Sequence, residues 1–149
     1  MKHEHMTNPI ILYFNVMDHE NYYQFYDILK IKKQTIVFLD GDIGAGKTTF
    51  VKSFSKKFSN QNIHSPTFSL INEYTTPKFK IFHYDLYRIN STQELFEIGI
   101  DNYFLQDGLH FIEWANNYTN FLPHPDYRIE FLNYDPYRIL KVIDYVNKK

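Results

Sequence analysis

Residues 41–48 read Gly-Asp-Ile-Gly-Ala-Gly-Lys-Thr, with a second threonine, Thr49, directly after. Gly41, Gly44 and Gly46 allow a tight backbone turn whose N–H groups can close on an anion, while Asp42, Ile43 and Ala45 fill the variable positions. Lys47 brings a cation, and Thr48 brings a hydroxyl suited to a hard cation such as Mg²⁺. Glycines, lysine and hydroxyl in this order make a phosphate-binding loop for a nucleoside triphosphate. A helix starting near Gly46 would add its positive end at the same point.

Such chemistry also needs carboxylates near the metal and a group to position the attacking oxygen. Two acids stand at the ends of apolar runs. Asp85 follows Phe82-His83-Tyr84, and Glu113 follows Leu109-His110-Phe111-Ile112. Acids also end strands and cap helices for purely structural reasons, so position alone leaves both roles open. Ser65-Pro66-Thr67 lies where phosphate-loop switches carry a hydroxyl that senses the terminal phosphate, although on spacing alone a proline turn entering a strand is the better reading. Trp114, the single tryptophan, follows Glu113 and can wall the site, pack the core or face a partner. Arg88 can orient Asp85, reach phosphate or make a simple ion pair. His83 and His110 read as packed strand residues, since no metal-ligand spacing surrounds them. His3 and His5 sit in a polar stretch, residues 1–8, expected to be loose.

The elements that must hold these groups follow from hydrophobic pattern. Thr35–Leu39 is a β-branched and aromatic run, a buried strand leading into the loop. Phe50, Val51, Phe54 and Phe58 recur at helical spacing behind it, with Lys52, Lys56 and Lys57 on the opposite face. Ile10–Val16 predicts a first strand. Asp18 predicts the cap of a helix over about 19–31, with Tyr22, Phe25, Tyr26 and Leu29 on one face. Residues 68–74 and 78–84 predict an antiparallel hairpin around Thr75-Thr76-Pro77. Ser91 and Glu94 form a capping box for a helix at 93–98, ended by Gly99. Leu109–Ile112 is a further strand, and Tyr127–Leu132 with Tyr137–Ile143 a second hairpin. These elements give an α/β domain with a mixed sheet: antiparallel additions around a central phosphate-loop unit.

The chain has 149 residues, a length suited to one domain over 1–149. No apolar run is long enough to span a bilayer and no secretory leader is apparent, which with the absence of cysteine predicts a cytoplasmic protein. A net charge of −1 gives no global grip on a polyanion. The small clusters Lys30, Lys32, Lys33 and Lys56, Lys57 read as solvated faces.

Four segments together are more specific than the loop alone: residues 41–49, Ser65-Pro66-Thr67-Phe68, His83-Tyr84-Asp85-Leu86-Tyr87-Arg88 and Ile112-Glu113-Trp114. In this order they resemble the TsaE family, also called YjeE, of bacterial tRNA N6-threonylcarbamoyladenosine synthesis. The resemblance runs from about residue 35 to the C-terminus and includes residues 97–104 and the last hairpin with Arg138. It implies a single P-loop NTPase domain of three layers that binds ATP with Mg²⁺ and hydrolyses it slowly. It implies action on a complex of TsaD and TsaB, with tRNA reached only through those partners and no membrane involved. It further implies that Lys47 and the rest of 41–49 hold the nucleotide beside Trp114. Thr48 and Glu113 would serve the metal, and Thr67 would be the switch residue, with Asp85 and Glu113 as the site acids. Before the loop strand the chain departs from the family: residues 21–30 lack its Leu-Gly pair, so no adenine contact carries over there.

Two other readings use the same loop. A small-molecule kinase would need an arginine-rich lid, and the chain offers only Arg88, Arg128 and Arg138. A nucleotide-dependent interaction switch differs from an ATPase only in turnover. A guanine-specific switch lacks its Asn-Lys-x-Asp run.

Overall fold

The structure is a computed structural model that describes residues 8–16, 22, 25–58 and 70–147. Its elements are β1 (Ile10–Asn15), α1 (Phe25–Ile28), β2 (Gln34–Asp40), α2 (Lys47–Lys56), β3 (Ile71–Thr75) and β4 (Lys80–Asp85). They continue with α3 (Thr92–Glu97), α4 (Ile100–Phe104), β5 (Gly108–Glu113), a 3₁₀ turn (Ala115–Tyr118), β6 (Tyr127–Tyr134) and β7 (Tyr137–Asp144).

The seven strands form one mixed sheet in the order β1-β7-β6-β2-β5-β4-β3. Its four central strands are mutually parallel, since β2 pairs in parallel with both β5 and β6, and β5 with β4. Antiparallel strands finish both edges: β3 on β4, then β7 on β6 and β1 on β7. The mixed sheet expected from sequence is therefore present, with both predicted hairpins and the β1–β7 pair as its antiparallel parts.

Alternation along β2 sends its side chains into two separate cores. Val37 and Leu39 join Phe25 of α1 and Phe50, Val51 and Phe54 of α2 on one face. Ile36 and Phe38 join Leu95 of α3, Ile100 of α4 and Tyr118 of the 3₁₀ turn on the other. Helices on both faces of a sheet make three layers. Phe50 centres the first core, with ring centroids 5.1–5.8 Å from those of Tyr22, Phe25, Phe111 and Phe131. Truncating a ring so packed typically costs about 3–5 kcal/mol.

Three local expectations change. The helix expected over 19–31 is described only as Phe25–Ile28, and its expected cap, Asp18, lies outside the described residues. Beyond Leu29 the backbone turns to other partners: Lys30 N donates to Tyr127 Oη at 3.0 Å and Lys32 N to Thr35 Oγ1 at 3.1 Å. Phe58 packs with the first core but stands outside α2. Residues 100–104, unassigned by pattern, form α4, entered through Gly99 at φ 70°. Gly99 thus ends one helix and opens the next. The capping at α3 is close to expectation, with Glu94 N donating to Ser91 Oγ at 3.4 Å. The return bond reaches one residue further back, from Asn90 N to Glu94 Oε2 at 3.4 Å.

Candidate nucleotide site

The loop leaves β2 at Asp40, which is clamped in place. Arg128 of β6 donates to Asp40 Oδ2 and, at 2.9 Å, to Asn116 Oδ1, with its guanidinium over the Phe38 ring. Gly41 sits in close quarters, because a Cβ there would meet Ala45 and Phe131 Cβ atoms at 3.0 Å. Gly46 has φ 104°, a left-handed backbone that L side chains rarely adopt, and caps α2 without any side-chain hydrogen bond. The first N–H groups of α2 therefore point out of the helix unclaimed by a side-chain cap, where an anion can accept from them.

The hollow in front of them measures about 270 Å³. Residues 43–49 form one side, and Asp85, Tyr87, Glu113 and Trp114 the other. Parallel pairing of β4 and β5 sets Asp85 beside Glu113 in register. Both acids end strands at the edge where β2 delivers the loop, the crevice in which open parallel sheets build their sites. A larger hollow of about 720 Å³ lies at the opposite end of the sheet, near Gly108. Its lysines 32, 33 and 80 pair with Asp126, Asp107 and Glu73, which fits the solvated-face reading of that region.

Within the smaller hollow the polar groups already pair. Thr48 Oγ1 donates to the Glu113 carboxylate, 2.9 Å from Oε2 and 3.2 Å from Oε1. Lys47 is buried; its ammonium donates to the carbonyls of Gly41 and Asp42, the latter at 2.9 Å, and lies 4.3 Å from the Trp114 ring centroid. Burial pulls the Lys47 pKa down, against the fields of Glu113, Asp85, Asp42 and Asp40. Asp85 Oδ1 accepts from Tyr87 N at 3.1 Å. Burial raises the Asp85 pKa, the Tyr87 hydrogen bond opposes this, and the Glu113 charge adds to it.

Of the residues expected from sequence, the structure brings Ile43, Gly44, Ala45, Gly46, Lys47, Thr48, Thr49, Asp85, Glu113 and Trp114 around one hollow. Gly41 and Asp42 meet it through their carbonyls on Lys47. Thr67, with Ser65 and Pro66, lies outside the described residues. The Arg88 side chain is exposed, and Asp85 takes its hydrogen bond from the Tyr87 backbone instead. Trp114 is half-buried at φ 62°, with its ring 5.0 Å from that of Tyr87. It is a wall of the hollow and packs partly on the second core.

His83 is a packed residue of β4 as expected, but the pattern did not show its bond to Glu113. It is fully buried, and its Nε2 bonds Glu113 Oε2. The signal was present: His83 stands two residues before Asp85 on a strand, so both side chains leave the same face. His110 does meet the expectation of a packed strand residue, since both its ring nitrogens are engaged, by Tyr84 Oη at 2.7 Å and the Gln106 carbonyl at 2.9 Å.

A glycine loop between a central parallel strand and a helix, with strand-end acids across from it, defines a P-loop nucleoside-triphosphate-binding α/β domain. Comparison with known proteins makes this particular. The family described as "Threonylcarbamoyl adenosine biosynthesis protein TsaE" matches residues 17–139, and the chain belongs to that family. It is 46% identical to the tRNA threonylcarbamoyladenosine biosynthesis protein TsaE of Rickettsia prowazekii over 97 residues, 64% of this chain and 67% of that protein. It is 37% identical to the Haemophilus influenzae protein of the same name over 120 residues, 80% of this chain and 76% of that one. The crystal structure of Bacillus subtilis YdiB superposes with a TM-score of 0.67 at 26% identity, covering 91% of this chain and 86% of that one.

Proposed function

We propose that the protein binds ATP with Mg²⁺, hydrolyses it slowly, and thereby drives or resets a TsaD–TsaB-type complex in tRNA N6-threonylcarbamoyladenosine formation. The observation that carries the ATPase reading is the meeting of Thr48 and Glu113 in the loop hollow, with Asp85 alongside.

The donor set fits the metal. Mg²⁺ takes oxygen ligands and usually keeps waters and phosphates, so one hydroxyl and one carboxylate suffice from the protein. Among the described residues no cluster of three or more acids and histidines offers a dedicated cage, consistent with a metal that arrives with its nucleotide. Thr48 and Glu113 would hold it. When bound, Mg²⁺ neutralises charge on the phosphates as the terminal one departs. Lys47 exchanges the Gly41 and Asp42 carbonyls for phosphate oxygens. The N–H groups at the start of α2 take the remaining phosphate charge. Asp85, held by Tyr87 N, orients a water toward the terminal phosphate, and Trp114 walls the nucleotide. Thr67 serves as the switch hydroxyl. In this division of labour the partners grip tRNA, which a near-neutral chain does not need to do.

The test is phosphate release from ATP by the purified protein, alone and with a bacterial TsaD–TsaB pair. Turnover that needs no small-molecule acceptor and rises with the pair supports the proposal. Binding without turnover in either condition would reduce the site to a nucleotide-dependent switch. Turnover that requires an added acceptor would make the protein a kinase.

A further inference from the structure

We propose that His83 is a positioning residue whose task is to fix the Glu113 carboxylate for the metal; this rests on the ATPase reading above. The imidazole is fully buried. Its Nε2 contacts Glu113 Oε2, a pairing in which the ring nitrogen donates and the carboxylate oxygen accepts. Its other nitrogen, Nδ1, has no hydrogen-bond partner among the described residues.

That one-sidedness separates His83 from His110, on the neighbouring strand. His110 ties Tyr84 to the Gln106 carbonyl and leaves neither nitrogen unpaired. A histidine that serves packing alone resembles His110, or gives way to an apolar side chain, because an orphaned buried nitrogen is a standing cost. Among the described residues His83 carries that cost and makes one hydrogen bond, with Glu113.

The geometry states what the contact does. A glutamate at a strand end can swing about its side-chain torsions. Oε2 is the oxygen nearest the Thr48 hydroxyl, 2.9 Å away, and it is also the oxygen that His83 holds. Two donors from different elements, β4 and α2, therefore converge on one oxygen and stop the rotation. Oε1 keeps only the longer contact to Thr48, 3.2 Å, and so retains free acceptor capacity. The carboxylate is presented in one orientation before any cation arrives. Outer groups that orient a ligating side chain in this way typically change metal affinity or activity about 10–100-fold when removed.

The experiment compares wild type with His83→Leu, His83→Gln and His83→Asn. A glutamine amide nitrogen can occupy the place of Nε2, whereas asparagine is too short to do so. Titration calorimetry with a non-hydrolysable ATP analogue, in EDTA and in Mg²⁺, reads the metal-dependent gain in affinity. Steady-state hydrolysis reads kcat and KM separately. The expected result is unchanged affinity in EDTA for all four proteins. In His83→Leu and His83→Asn the Mg²⁺-dependent gain and kcat fall about tenfold or more, KM rises in step with the lost affinity because turnover is slow, and His83→Gln recovers most of all three. Should the leucine variant not fold, the glutamine–asparagine pair carries the same comparison. A His83→Asn or His83→Leu protein with wild-type gain and kcat would overturn the proposal, as would a glutamine variant no better than asparagine. Absence of a Mg²⁺-dependent gain in wild type would overturn the metal reading of Glu113 and this proposal with it, which distinguishes the two failures.

Discussion

Replacing Lys47 by methionine tests the central site most directly, because the structure gives both sides of the exchange. In the structure the ammonium donates to two neutral carbonyls, those of Gly41 and Asp42. With nucleotide present it would donate to charged phosphate oxygens, whose opposite charge adds attraction to bonds that the ammonium already makes charge-assisted. If two contacts are surrendered and two gained, the net gain is about one charge-assisted bond, ~1.5–3 kcal/mol. Methionine forfeits that gain, so the dissociation constant should rise about 10–150-fold. The side chain keeps its apolar stem under Trp114 and removes a buried ammonium whose charged form burial disfavours. Folding stability should therefore change by no more than about 1 kcal/mol, a shift of about 2–4 °C in Tm. Titration calorimetry with a slowly hydrolysed ATP analogue at fixed salt reads the affinity, and a thermal melt reads the fold. An affinity within twofold of wild type, in a protein that melts normally, would refute the assignment of Lys47 to the phosphates.

Three further outcomes follow from the same geometry. Asp85→Asn should keep nucleotide affinity and lose turnover by about 100-fold or more, the usual weight of a positioned acid–base group. Burial raises the folded-state pKa of Asp85, so ionisation costs the fold more than the unfolded chain, and that cost grows as pH rises through the raised value. The asparagine variant should consequently melt above wild type at pH 7, with the difference vanishing below about pH 4, where the carboxyl is protonated in both states; melts at several pH values check it. Trp114 is the only tryptophan and lies against the Lys47 ammonium, so its fluorescence should change when nucleotide draws Lys47 away, and the change should be lost in Lys47→Met. Gly108→Ala should cost about 2 kcal/mol or more, roughly 4–8 °C in Tm, because φ is 146° and a Cβ would lie 2.6 Å from the Lys80 carbonyl oxygen; nucleotide affinity, measured below the melt, should stay unchanged.

Elements with a strong period were legible in the sequence, and those built by tertiary partners were not. The run into the loop and the helix behind it carry their apolar faces openly, and β2 and α2 match them closely. The stretch before β2 is different. Its backbone N–H groups at 30 and 32 are taken by a tyrosine hydroxyl 97 residues away and by Thr35, and no local pattern announces a distant hydroxyl. The short α4 was hidden for a related reason: Gly99 reads as a stop, and only its left-handed backbone shows that it also starts a helix. In the site, residue type and spacing located the loop and both acids. They could not say that β4 and β5 run side by side in parallel, which is what sets Asp85 next to Glu113 and His83 within reach of its carboxylate. Strand order is a property of the whole sheet, and the strands concerned lie 28 residues apart in chain position, from Asp85 to Glu113.

The candidate site is therefore better described as self-paired than as open. Lys47 rests on loop carbonyls, the Thr48 hydroxyl rests on Glu113, and an indole covers the lysine. Lys47, Thr48 and Glu113, which a Mg–nucleotide would recruit, each have an internal partner, whereas the first N–H groups of α2 have no side-chain cap. Binding is then an exchange of partners, and its net strength is the difference between charged and neutral acceptors rather than the sum of the contacts formed. The same arrangement gives Trp114 its shape. A non-glycine residue at φ 62° carries a backbone cost, and the residue in that position presents its ring to Lys47 on one side and to Tyr87 on the other. If Lys47 exchanged its carbonyls for phosphate, the cation that stabilises the indole face would leave with it. The wall of the pocket and the charge inside it are thus coupled through one contact.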